Sequence, residues 1–150
     1  MKYVPKSCLV GETAEEEGYF QYTFIDEYSR FRIFKAYKEH STYSSSQFLK
    51  YVVKKFPYTI ECIQSDNGME LTNRLTSNKN RKTLFETTLA QLGIHHKLIR
   101  PYTPRHNGKV ERSHRKDNEE FYACHKFYNF ADFEKQLTVS KYILFSFANV

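Results

Sequence analysis

The sequence has no tryptophan, and only five glycines, four prolines and three cysteines among its 150 residues. So few Gly and Pro residues exclude low-complexity linkers. The cysteines (Cys8, Cys62 and Cys124) are odd in number, far apart and without a C-x-x-C pair. They fit reduced thiols in a cytoplasmic protein better than a disulfide framework or a zinc site. No apolar run approaches the roughly 20 residues that a membrane span requires, and the N-terminus lacks a signal-peptide pattern. Membrane and secretory readings are therefore weak. What is present is apolar and aromatic: 40% of residues are hydrophobic and 17% aromatic, with 13 Phe and 12 Tyr. That suffices for a sizeable core and points to one domain over residues 1–150.

The net charge of +6 is unevenly placed. Residues 1–75 carry ten Lys/Arg and ten Asp/Glu, whereas residues 76–150 carry thirteen and seven, so the whole excess (13 − 7 = 6) lies in the second half. Between His95 and Lys116 stand Lys97, Arg100, Arg105, Lys109, Arg112, Arg115 and Lys116, against the single acid Glu111. This density suits a polyanion-binding surface, with nucleic acid the leading candidate; a solvated helix face is the plain alternative.

Periodicity orders the elements. Residues 18–25 and 31–37 read as aromatic, β-branched strands joined by the turn Asp26-Glu27-Tyr28-Ser29. Ser41 or Thr42 can cap a helix running to about Lys55, which Pro57 ends. Residues 58–64 form a short apolar strand delivered into Ser65-Asp66-Asn67-Gly68, and residues 72–82 form a polar, basic loop. A helix over 83–92 stops at Gly93, residues 94–99 form a strand, and Pro101 and Pro104 mark an irregular loop. Helices follow from about Asn107 to Cys124 and from about Asp132 to Phe147. Strands alternating with helices predict an α/β domain with a mixed sheet.

Asp66 leaves a strand end at a turn, where ligands of open α/β sheets gather. Glu111 shares a helix face with Asn107, Arg115 and Asn118. Taken singly, one is an Asp-Asn-Gly turn and the other a solvated ion pair. Taken together, carboxylates on separate elements beside a phosphate-binding face suit Mg²⁺ or Mn²⁺, and two such ions about 4 Å apart can serve phosphodiester chemistry.

At these residues the chain becomes recognisable. The strings YTFIDEYSRFRIFKAY (22–37), IQSDNGMEL (63–71), GIHHKLIRPYTPRHNGKVERSHRKDNEEFY (93–122) and FADFEKQL (130–137) resemble the integrase catalytic core of DDE transposases of bacterial insertion sequences, relatives of retroviral integrases. The resemblance covers nearly the whole chain. It implies a ribonuclease-H-like mixed β-sheet flanked by helices. It implies DNA integration and transposition by metal-dependent cleavage and strand transfer on element ends and target DNA, in a homo-oligomer. Asp66 and Glu111 become the second and third acids of the metal-binding triad. Asn107, Lys109, Arg112, Arg115, Lys116 and Asn118 become the residues that hold DNA, and residues 104–108 a mobile loop whose Gly108 permits close approach. His106 and His114 read as partly exposed polar residues, and His95 and His96 as strand residues. The separation of the two acids (111 − 66 = 45) exceeds the roughly 35 residues usual in relatives, and residues 74–82 account for the excess as a surface insertion.

The triad's first Asp is missing. The resemblance places it just before Lys2-Tyr3-Val4-Pro5-Lys6, where Met1 stands at the adjoining position. Asp26 matches the family's D-x-x-S-R position, a turn acid satisfied by Ser29 or Arg30, and makes a poor substitute. The resemblance therefore implies a domain truncated at both ends, its first central strand largely missing, its two-metal site incomplete and its isolated activity impaired. A non-catalytic DNA-binding or regulatory remnant, and a ribonuclease-H-like nuclease, are the alternatives.

Overall fold

The computed structural model describes residues 1–11, 18–100 and 108–147, with side chains described as far as residue 140. The chain divides into two compact units, Met1–Glu39 with Glu111–Val150, and His40–Val110.

The first unit is built on a three-stranded antiparallel sheet in the order β1-β2-β3: β1 Lys2–Tyr3, β2 Phe20–Ile25 and β3 Arg32–Tyr37. The predicted hairpin forms β2 and β3, registered from Phe20 opposite Tyr37 to Ile25 opposite Arg32. Its turn follows from side-chain chemistry. Asp26 Oδ2 accepts from Ser29 N (2.7 Å) and Ser29 Oγ (2.6 Å), and Arg30 takes a left-handed φ of 64°. These bonds hold the Asp26 carboxyl below its ordinary range, so this acid is committed to its turn. The strand β1 is two residues long. Lys2 faces Gln21, Tyr3 faces Phe20, and Val4 N continues the ladder to Tyr19 O.

A short 3₁₀ turn, Lys6–Cys8, leads into a bridge between Leu9 and Phe127. The core is mainly aromatic: Tyr19, Phe34, Phe121, Tyr122, Phe127 and Phe133 pack with Val4, Cys8 and Leu137. Phe127 and Phe133 are fully buried, with ring centroids 4.9 Å apart. Each such ring contributes about 1.5–3 kcal/mol by leaving water.

The helix that closes this unit, α4, spans Phe130–Phe147. The helix before it, α3, spans Gly108–Asp117 and continues as one π-helical turn, Asn118–Tyr122. A single helix to about Cys124 was expected, and the change of pitch at Asn118 is the difference. Gly108 opens α3 rather than lying in a loop, whereas residues 101–107, including Pro104, His106 and Asn107, lie outside the described residues.

The second unit pairs α1 Thr42–Lys55 with α2 Leu84–Gln91 and holds the parallel strands β4 Cys62–Ser65 and β5 His95–Leu98. Ser41 Oγ caps α1 by accepting from Ser44 N (3.1 Å), worth about 1 kcal/mol. Phe56 ends α1 in an extended conformation (ψ 128°), as the residue before Pro57 must. Thr83 and Glu86 form a reciprocal capping box on α2. Gly93 follows with φ +69°, the left-handed residue that stops the helix. Leu49, Phe85, Leu89 and Ile94 form the core of this unit.

The strand expected over 58–64 begins only at Cys62. Its partner β5 is four residues long, so the ladder supports four, and Tyr58 is 69% exposed.

Candidate active site and nucleic-acid face

β4 ends at Ser65, and the chain turns outward at Asp66. The Asp66 carboxylate is exposed, and its Oδ1 accepts from Gly68 N at 3.2 Å. The flanking residues fix this turn. Asn67 Nδ2 donates to Ile99 O (2.8 Å), tying it to the end of β5. Ser65 Oγ lies 2.7 Å from His96 Nε2 and 3.1 Å from Asp66 O. Burial lowers the His96 pKa, so the ring is neutral at pH 7 and serves the strand pair, as expected of a strand histidine.

Sequence reasoning missed Glu70. A Cβ added to Gly68 would stand 2.5–2.6 Å from the Glu70 carboxylate oxygens, so any larger residue here must displace that side chain. Glu70 is almost fully buried and pairs with His40 Nε2 at 2.9 Å. The spacing Asp-Asn-Gly-x-Glu carried the only hint of it.

Glu111 lies in the first turn of α3, where the helix dipole favours a carboxylate. It is exposed, as are Lys109, Arg112, Arg115, Lys116 and Asn118. Despite these cations, Glu111 makes no ion pair among the described residues; the expected solvated ion pair is absent there. Lys116 instead meets Glu120 at 3.6 Å, both half in solvent, which is worth little. Asn118 Oδ1 accepts from Lys2 Nζ, which also donates to His114 O (3.1 Å). Asn107 lies outside the described residues.

The inner face of the same helix is polar as well. Asp117 is buried, accepting from Arg32 Nη2 (2.7 Å) and Gln21 Nε2 (2.9 Å), while Tyr122 Oη donates to Gln21 Oε1 (2.6 Å). His114 is partly exposed, as read from the sequence, but its Nε2 is buried. Burial lowers its pKa to about 4; the chain's amino group, Lys2 and Arg32 add to the effect, and Asp117 opposes it. No sequence signal marked this network, because its members lie 85 to 101 positions apart.

Among the described residues no three His, Cys, Asp or Glu side chains gather as a metal site. Asp66 belongs to one unit and Glu111 to the other. A cleft of about 480 Å³ in the first unit, lined by Lys116, Glu120, His125 and Lys135 among others, includes neither acid.

Comparison with known proteins decides the family. A profile described as Integrase core domain matches residues 9–104, and a second with the same description matches residues 92–140. The chain belongs to the integrase core domain family. The inferred integrase ORF3 of Spiroplasma virus SpV1-C74 is 28% identical over 142 residues. That alignment covers 90% of this chain but 39% of the relative, so this integrase core spans about two fifths of the viral protein. Two solved structures share its fold. One is the simian T-cell lymphotropic virus intasome in complex with PP2A regulatory subunit B56 gamma (TM-score 0.58, 19% identity, 73% of this chain and 36% of that one). The other is the catalytic core domain of BIV integrase (TM-score 0.52, 21% identity, 73% of this chain and 63% of that one). The integrase core is thus an α/β protein of the ribonuclease-H-like kind, as expected. No helix among the described residues is long and apolar enough to cross a membrane.

Proposed function

We propose that this integrase core acts in DNA integration or transposition, with Asp66 and Glu111 as acids of a divalent-metal site and α3 as the face that holds DNA. The observation that carries the reading is the state of the two acids. Both carboxylates are exposed, Asp66 is committed only to its own turn, and Glu111 is unpaired among the described residues amid cations. Asp117 and Glu70, by contrast, are buried and paired.

Integrase-family cores depend on divalent metal in general, and the donor set fits a hard ion. Mg²⁺ keeps several waters and takes one or two carboxylates together with substrate phosphates, which Asp66 and Glu111 can provide. Bound there, Mg²⁺ or Mn²⁺ would supply activation of the attacking oxygen and stabilisation of the leaving oxygen. The residues of the chain do the rest. Asn67 and Ser65 hold the Asp66 turn, and Lys109, Arg112, Arg115 and Lys116 neutralise phosphates along α3 while Asn118 lies at its end. The substrates proposed are element ends and target DNA, and the working form a multimer of the longer protein.

The 150 residues hold no acid at the position before Lys2-Tyr3, so alone they are expected to be impaired. The test is joining of a labelled terminal-repeat oligonucleotide with Mn²⁺, with and without an N-terminal extension supplying Asp. The extended chain should join, and Asp66→Asn or Glu111→Gln should lower the rate by about 10²-fold or more. DNA affinity in EDTA should not fall, because each change removes a negative charge from the phosphate-binding face. Robust joining by the unextended chain would overturn the impairment; joining that survives both substitutions would overturn the site.

A further inference from the structure

The polar insertion after Asp66 has an unexplained charge pattern. Residues 71–85 contain Arg74, Lys79, Arg81 and Lys82 and no Asp or Glu. All four cations are exposed, and none has an ion-pair partner among the described residues. The two acids that bracket the stretch are already engaged. Glu70 is paired with His40, and Glu86 accepts from Thr72 Oγ1 (2.7 Å) and from Thr83 N (2.8 Å). The bracketing acids therefore do not neutralise the loop.

The segment is also ordered. Asn73 Nδ2 donates to Arg81 O (2.7 Å) and closes the loop at its base. Thr76 Oγ1 donates to Asn73 O (2.9 Å), Thr76 N donates to Asn73 O (3.0 Å), and Arg81 N donates to Asn78 O (2.9 Å), giving successive tight turns. A solubilising loop needs no such bracing; a surface presenting cations at fixed spacing gains by it, because less side-chain and backbone freedom is lost on binding. The loop is anchored to the Asp66 turn. Leu71 N and Thr72 N both donate to Gly68 O, at 2.9 and 3.0 Å. It therefore starts one turn downstream of the proposed metal acid.

We infer that residues 72–82 form a second contact surface for duplex DNA, separate from α3, with Arg74, Lys79, Arg81 and Lys82 on backbone phosphates flanking the reacting bond. The inference rests on the reading of Asp66 as an acid that works on DNA. Phosphate contacts of this kind position the duplex and carry no sequence information, so the surface serves any duplex, target DNA included.

The test measures duplex affinity against salt concentration in EDTA, where the metal site plays no part. The variant is Arg74→Gln/Lys79→Gln/Arg81→Gln/Lys82→Gln in the full chain, with each half (74/79 and 81/82) made separately. Each phosphate contact adds about 0.9 to the slope of log affinity against log salt, so the fourfold variant should lose about 3–4 and each half about 2. The loss should be equal on element-end and unrelated duplexes, and additive with neutralisation of Lys109, Arg112 and Arg115. Thermal melts should be unchanged, since the altered side chains are exposed. An unchanged slope overturns the proposal. So does an equal loss of binding to heparin or single-stranded RNA, which would mark a surface indifferent to duplex geometry. Asp66→Asn leaves this measurement untouched, so the metal reading and the loop reading fail separately.

Discussion

Acidification should destabilise the unit that carries His114, and the size of the effect follows from where that ring sits. Its pKa falls from 6.5 to about 4 on folding, chiefly through burial, then through the nearby amino group, with Asp117 opposing and Lys2 and Arg32 adding. Below pH 6.5 the unfolded chain takes up a proton that the folded chain refuses until about pH 4. The unfolded state thus binds more protons across this window, and stability falls as pH drops through it. At about 1.4 kcal/mol per pH unit, the interval would give roughly 3 kcal/mol. The ring keeps some solvent contact, which reduces this to about 2 kcal/mol.

His114 Nε2 is buried without a hydrogen-bond partner among the described residues, so a hydrocarbon can replace the ring without stranding another polar group. Urea titrations at pH 7.0 and 4.5 should show wild-type stability falling by about 2 kcal/mol, and His114→Leu should remove most of that difference. A pH dependence identical in wild type and His114→Leu would refute the reasoning, because no proton uptake could then be assigned to the ring.

Gly68→Ala should cost about 1–3 kcal/mol, as overpacking against a side chain that burial and His40 hold in place. In an Glu70→Ala background the added cost should nearly vanish, and chemical denaturation of the four proteins gives the coupling. Arg32→Met, which strands the buried Asp117 carboxylate, should cost about 3–5 kcal/mol, whereas Arg32→Met/Asp117→Leu should cost much less than the sum of its single changes. A double-mutant cycle read by thermal melts checks it.

Local rules carried much of the fold into view, because α1, α2 and the β2–β3 hairpin are each determined by neighbours in sequence. Ser41, Pro57, Thr83 and Gly93 mark ends that any capping argument finds, and Asp26 satisfies its own turn. The length of β4 was misjudged because a ladder is limited by its partner, and β5 supplies four residues. The inner face of α3 was invisible for a different reason. In Gly108–Asp117 the sole apolar side chain is Val110, so no continuous apolar stripe distinguishes the buried Ser113 and Asp117 from the exposed Glu111 and Arg115. Only partners in β2 and β3, far away in sequence, decide which face turns inward. For the site, the residue types and their place on a strand end and a basic helix were readable. The burial of Glu70 against Gly68, and the bracing of the 72–82 loop, depend on packing that no local pattern encodes.

The three thiols have a practical consequence. Cys8 is buried and hydrogen-bonds to Tyr122 O at 3.2 Å, whereas Cys62 and Cys124 are exposed, one in each unit. Cys62 opens β4 four positions before Asp66, and Cys124 follows the helical stretch that begins with Glu111's turn. The native chain therefore already carries two accessible attachment points for a fluorescent donor and acceptor, so energy transfer can follow the units through metal and DNA additions without any engineered cysteine.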